Sequence, residues 1–215
     1  MLRTVLFDLD GTLIDSIELI LSSYRHTLTV HRGATPPDDV WLAGLGTPLW
    51  TQFRQFTEDA AEVDAMIATY REHNLAHHDA MVRPYPGVCD AVAELRQRVR
   101  LGVVTSKLRA GALRGLKRVG MENWFDVVIG ADDVERHKPD PEPVERALVS
   151  LGAAPGDAVF VGDAPHDLIA GRAAGVRTAA VLWGPFPRGT LEACAPDHWI
   201  REAADLGRLA DGMAG

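Results

Sequence analysis

Short apolar runs alternate with segments of helical spacing through the second half of this chain, and that alternation limits the folds open to it. Runs at 100–105, 125–130, 157–162 and 177–183 read as strands, and the segments 87–98, 108–119, 141–151 and 165–174 read as helices. Val5-Leu6-Phe7 reads as a first buried strand, and His198-Trp199-Ile200 as a last one leading into a C-terminal helix. Strands separated by helices of this length form a parallel, doubly wound sheet, so the expected class is α/β with a Rossmann-like core. In such sheets ligands bind beyond the carboxyl ends of the strands.

The polar residues fall at those ends. The first strand runs into Asp8 and Asp10, whose side chains point the same way if the strand continues, and Gly11-Thr12 then turns the chain. Two acids at the end of an apolar strand are costly without a partner, and a hard divalent cation with oxygen ligands is a natural one. A polar turn is the plain alternative for such a motif taken alone. The strand at 100–105 ends in Thr105-Ser106-Lys107, the next is followed by His137-Lys138-Pro139-Asp140-Pro141, and the fourth ends in Gly162-Asp163 with Asp167 beyond. Carboxylates for a cation, with a hydroxyl and a lysine for an anion, are the equipment of phosphoryl transfer.

Between the first strand and Pro84-Tyr85-Pro86-Gly87 lies a helical insert, residues 16–82, in which no strand is expected. Ile17, Leu19, Ile20, Leu21, Tyr24 and Leu28 give its first helix an apolar face, with Asp15 or Ser16 as cap. Thr35-Pro36-Pro37-Asp38-Asp39 breaks that helix, and 38–45, 48–57 and 60–78 read as three more. The expected organisation is therefore a core of residues 1–15 and 83–215 and an inserted module of residues 16–82. Leu45-Gly46-Thr47-Pro48 is either a plain turn or a loop that reaches the site.

A net charge of −8 argues against a nucleic-acid partner, which calls for a basic face. No apolar run approaches the roughly 18 residues of a membrane span. The N-terminus lacks the pattern of a secretion signal, and Cys89 and Cys194 suggest no disulfide framework. These features make the cytoplasm the expected location. Three of the 22 basic side chains are lysines, at 107, 117 and 138, and an ammonium is not interchangeable with a guanidinium.

Asp8-Leu9-Asp10-Gly11-Thr12, Thr105, Lys138 and Gly162-Asp163-x-x-x-Asp167 resemble, in order and context, the four motifs of the haloacid dehalogenase-like superfamily. The insert resembles that superfamily's helical cap. Tyr70-Arg71-Glu72-His73-Asn74, His77-His78-Asp79, Asp132-Asp133-Val134 and the run from Lys138 to Val144 resemble its bacterial inorganic pyrophosphatases and phosphoglycolate phosphatases.

The resemblance implies roles. Asp8 would be the nucleophile and a Mg2+ ligand. Asp10 would be the acid and base, with its carbonyl on the metal. Gly11, Thr12, Thr105 and Ser106 would hold the phosphate, Lys138 would offset its repulsion from Asp8, Asp163 would be the second carboxylate ligand of the metal, and Asp167 would either bind the metal through water or orient its ligands. The implied substrate is a small phosphorylated molecule, pyrophosphate first, with phosphoglycolate or another phosphomonoester as alternative.

Plainer readings stand beside these: a helix cap for Thr105, a solvated loop lysine for Lys138, a first-turn acid for Asp167. His73 and His77 have zinc-like spacing but lack the rest of a zinc motif. A dehalogenase would not need Asp10, and a phosphonate hydrolase would need a cap lysine where none precedes Lys107. A sugar-phosphate mutase and a non-enzymatic binding module are the remaining alternatives.

Overall fold

A computed structural model describes residues 2–211. Six parallel strands form one sheet in the order β5-β4-β1-β6-β7-β8, where β1 is Thr4–Phe7, β4 Arg100–Val104, β5 Val127–Ile129, β6 Ala158–Gly162, β7 Arg177–Val181 and β8 His198–Ile200. The chain builds outward from β1 to one side through β4 and β5, then to the other through β6, β7 and β8. That reversal beside β1 is where a doubly wound sheet opens a crevice.

Alternation along the strands sorts side chains onto two faces. Val5, Phe7, Leu101, Val103, Val159 and Val161 join one apolar cluster, covered by α5 (Val88–Leu95), α6 (Arg109–Arg118) and the C-terminal segment. Leu6, Val104 and Phe160 join the other, covered by α7 (Glu142–Leu151) and α8 (Pro165–Ala173). A sheet covered on both faces explains why its strands read as continuous apolar runs. Phe7 is level with Val103 on one side and Val161 on the other, so the residues that follow emerge side by side.

The chain leaves this core through β2 (Ile14–Asp15) and returns through β3 (Arg83–Pro84), which pair antiparallel as a two-rung ribbon. Four helices lie between: α1 (Ile17–Arg32), α2 (Asp38–Leu42), α3 (Leu49–Arg54) and α4 (Ala60–Met81). They enclose an apolar cluster of their own that includes Tyr24, Trp41, Phe53, Met66 and Tyr70. Tyr24 and Trp41 stack with ring centroids 4.2 Å apart. The Asp59 carboxylate accepts from the Ala61 N–H at 2.9 Å and starts α4, and Gly33, at φ 73°, ends α1.

Several expectations need adjustment. Helix α4 runs three residues past 78, to Met81, while α2 and α3 stop short of 45 and 57. The C-terminal segment Ala203–Asp211 is a 3-10 helix, and a short helix α9 (Arg188–Glu192) went unforeseen. Ser16 precedes α1 without capping it, because its hydroxyl is committed elsewhere.

Candidate active site

Asp8 follows β1 directly, its N–H donating to the Val161 carbonyl at 2.8 Å, so its side chain is fixed to the middle of the sheet. Lys138 reaches it from the loop after β5. The ammonium donates to Asp8 Oδ1 at 2.9 Å, to Asp167 Oδ1 at 2.6 Å and to the Val104 carbonyl at 3.5 Å, all buried. Asp167, on the first turn of α8, accepts from the Ala164 N–H at 3.1 Å through its other oxygen. Asp163, one residue past β6, accepts from the Thr12 hydroxyl at 2.7 Å through Oδ1. Its Oδ2 is buried and has no partner among the described residues.

Glycines make room for these carboxylates. A Cβ on Gly11 (φ 89°) would lie 2.4 Å from Asp163 Oδ2, and one on Gly184 2.4 Å from the Asp163 Cβ. Either addition would displace the acid.

Oxygens of Asp8, Asp163 and Asp167 all lie within 4.8 Å of one another. Lys138 supplies one positive charge against three carboxylates. Burial, opposed by Lys138 and aided by Asp167, pushes Asp8 up to about 7. Burial and the neighbouring Asp8 and Asp167 hold Asp163 well above the ordinary carboxylate range. Burial by itself would lower Lys138, but Asp167 and Asp8 hold it above the usual lysine value. The site keeps its ammonium and lacks positive charge, so it suits a hard cation bound through carboxylate oxygens. Both oxygens of Asp167 are already engaged, whereas Asp8 Oδ2 and Asp163 Oδ2 are open.

These groups open on a cavity of about 420 Å³ between the sheet and the helical insert. Asp8, Asp10, Thr105, Ser106, Lys138 and Asp163 line it from the core, and Trp41, Gly46, Tyr70, Arg71 and His78 from the insert. Leu45-Gly46-Thr47-Pro48 is a reaching loop: it lines the cavity, and the Gly46 carbonyl accepts from the Ser106 hydroxyl. Gly11 and Thr12, expected on the substrate, are absent from the cavity wall; Thr12 stands behind Asp163 and steadies it. Asp10 also stands apart from the carboxylate trio. Its Oδ1 accepts from Lys107 at 2.7 Å and from the Ser16 hydroxyl at 2.5 Å. The stacked rings of His73 and His77 (centroids 4.2 Å apart) form no metal-competent group of three with other ligand side chains among the described residues.

A family model described as haloacid dehalogenase-like hydrolase matches residues 5–181. The chain belongs to this family. Among curated relatives, the hydrolase is 43% identical over 207 residues to pyrophosphatase PpaX of Halalkalibacterium halodurans, covering 95% of each chain. It is 44% identical to pyrophosphatase PpaX of Bacillus cereus, covering 95% of this chain and 94% of the relative. Among solved structures it superposes on a haloacid dehalogenase-like hydrolase from Bacteroides fragilis at TM-score 0.90 and 28% identity, covering 96% of this chain and all of that one. A Lactobacillus plantarum protein described as a phosphoglycolate phosphatase matches at TM-score 0.87 and 27% identity, over 97% and 99% of the two chains.

Sequence reasoning put Lys107 at a strand end of this hydrolase without a role, and gave Ser16 a different one. The bonds of both to Asp10 join segments that no local pattern connects, 97 residues apart for Lys107 and only six for Ser16. The scarcity of lysine was the one available signal for Lys107.

Proposed function

We propose that this hydrolase is a Mg2+-dependent phosphohydrolase acting through an aspartyl-phosphate on Asp8, with inorganic pyrophosphate as its substrate. The observation that carries the reading is the buried trio Asp8, Asp163 and Asp167 with Lys138 bridging two of its members. Pyrophosphatase PpaX relatives at 43–44% identity support the choice of substrate.

Asp8 attacks phosphorus in line through Oδ1, the oxygen that Lys138 holds, and the bond from phosphorus to the leaving oxygen breaks. Asp10, its Oδ1 held by Lys107 and Ser16, supplies a proton to that oxygen through Oδ2. Water then attacks the phosphoaspartate, Asp10 takes its proton, and Asp8 and inorganic phosphate separate. Lys138 holds Asp8 in position and offsets its repulsion from the phosphoryl group. Thr105 and the Ser106 N–H take phosphoryl oxygens at the end of β4. A bound Mg2+ supplies charge neutralisation for the phosphoryl oxygens. Asp8 Oδ2, Asp163 Oδ2 and the Asp10 carbonyl would hold it, and Asp167 orients Lys138. Residues 16–82 act as a cap that closes over the site and excludes water.

Hydrolysis of phosphoglycolate is the second reading, favoured by the structural match to the Lactobacillus plantarum protein. An assay with Mg2+ comparing pyrophosphate, phosphoglycolate and sugar phosphates tests both. Pyrophosphate is expected to give the highest kcat/KM, and a preference of tenfold or more for a sugar phosphate, about 1.4 kcal/mol in the barrier, overturns the assignment.

A further inference from the structure

Helix α4 presents one face to the cavity. Ile67, Arg71, Asn74 and His78 line it at spacings of three and four residues, which places them on one side of the helix. Lys107 and Arg114, in and before α6, line the facing wall. The two walls are tied together: Arg114 donates to both oxygens of Asp79 at 3.2 and 3.0 Å, and Arg118 to the Asp79 carbonyl at 2.7 Å.

The positive charges around this cavity are not equivalent. Lys138 is committed to Asp8 and Asp167, Lys107 to Asp10, and Arg114 to Asp79. Arg71, an exposed residue, has neither a carboxylate nor a carbonyl partner among the described residues, though it lines the same space. Its neighbours on the wall include Ile67 and Leu75, which compete for no hydrogen bond. Burial, opposed by the hydrogen bond to Asp79 and aided by Lys107 and Arg114, keeps His78 below the ordinary histidine value. An exposed guanidinium without a protein partner among the described residues, lining the same cavity as a set of carboxylates that handles one phosphoryl group, suits a second anionic group on the same ligand.

We propose that Arg71 is the specificity-determining residue of a subsite on the α4 wall that binds an anionic end of the leaving group: the second phosphate of pyrophosphate, or a carboxylate of similar reach. This rests on the phosphohydrolase reading above and adds to it the means by which a charged leaving group is preferred. Asn74, one turn along, is partly spent on the Ser23 hydroxyl at 3.3 Å and flanks the subsite.

The test is steady-state kinetics of wild type, Arg71→Met and Arg71→Lys with Mg2+ on three substrates. Pyrophosphate and phosphoglycolate have charged leaving groups beyond the scissile bond, and p-nitrophenyl phosphate has none of comparable charge. Arg71→Met is expected to lower kcat/KM for the two charged-tail substrates about 10- to 100-fold more than for p-nitrophenyl phosphate, chiefly through KM. Arg71→Lys is expected to recover part of the loss, because charge returns without the planar fork. Equal losses on all three substrates, or a loss carried by kcat alone, overturn the subsite while leaving the phosphohydrolase reading intact. A wild-type enzyme inactive on all three overturns that reading itself. Circular dichroism melting of the exposed-site variants is expected to match wild type, and a large shift would assign the kinetic change to folding and overturn the specific role.

Discussion

The two walls of the cavity are built on opposite plans. On the sheet side the charged groups are held in place, with Asp8 Oδ2 and Asp163 Oδ2 left open: Lys138 bridges Asp8 and Asp167, Thr12 holds Asp163, and glycines pack against the acids so closely that a methyl group would not fit. On the insert side the exposed Arg71 has no ion-pair or hydrogen-bond partner among the described residues, and Trp50 of α3 and Leu75 of α4 expose apolar surface, 45% and 56% accessible. A reaction that recurs unchanged needs groups held to a fraction of an ångström, whereas a wall that chooses among substrates needs unspent donors. On the proposed function, the contrast divides chemistry on the sheet from choice on the insert.

Substitutions on the sheet side should break chemistry for every substrate. Asp8→Asn is expected to remove turnover by several powers of ten with the fold intact; single-turnover rates above about a hundredth of wild type would exclude Asp8 as nucleophile. Lys138→Met comes next, at about 10²- to 10³-fold in kcat on all substrates alike, because it also leaves Asp8 and Asp167 facing each other uncompensated. A substrate-dependent loss there would blur the division between the walls.

Asp163→Asn sharpens the comparison through stability. Burial holds this acid above its ordinary range, so ionising it costs the folded state. The fold retains a proton that the unfolded chain releases above the ordinary carboxylate value, so the cost grows as pH rises from there through the folded value. In metal-free buffer Asp163→Asn should therefore melt above wild type, by a margin that widens as pH rises above the ordinary carboxylate value. Added Mg2+ should raise the wild-type Tm and leave the variant nearly unmoved. A constant margin across pH would contradict the electrostatic account.

Asp10→Asn links the two walls. Phosphate departs readily, whereas the alkoxide of phosphoglycolate needs a proton, so the intermediate-forming step should slow more for phosphoglycolate than for pyrophosphate. Equal slowing in rapid-quench measurements would remove Asp10 as the acid. The smallest effect belongs to Ser106→Ala, which releases the Gly46 loop by one hydrogen bond and should raise KM by less than about tenfold.

Part of the sheet wall was legible in the sequence because Asp8, Thr105 and Asp163 sit at the ends of apolar runs, whereas Lys138 on a loop and Asp167 on a helix were placed by the motif resemblance. Once β1, β4 and β6 are recognised, register alone brings Asp8, Thr105 and Asp163 together. What stayed hidden depends on pairing across the chain. Nothing local tells that Thr12 serves Asp163, that Arg114 grips Asp79, or that Lys107 ends on Asp10. The β2–β3 ribbon escaped notice because two residues per strand carry no periodicity. Ser16 was misassigned because a serine before a helix reads as a cap whichever acceptor its hydroxyl finds.

That ribbon has a consequence for how such molecules diversify. Two rungs, Ile14 with Pro84 and Asp15 with Arg83, and a hydrogen bond from the Tyr85 N–H to the Leu13 carbonyl at 3.4 Å join the outgoing and returning chain, and neither rung belongs to the six-stranded sheet. Everything threaded between them can be lengthened, shortened or replaced with no change to any rung of that sheet. A lineage can thus inherit its catalytic half intact while trading the other half for one that greets a different molecule.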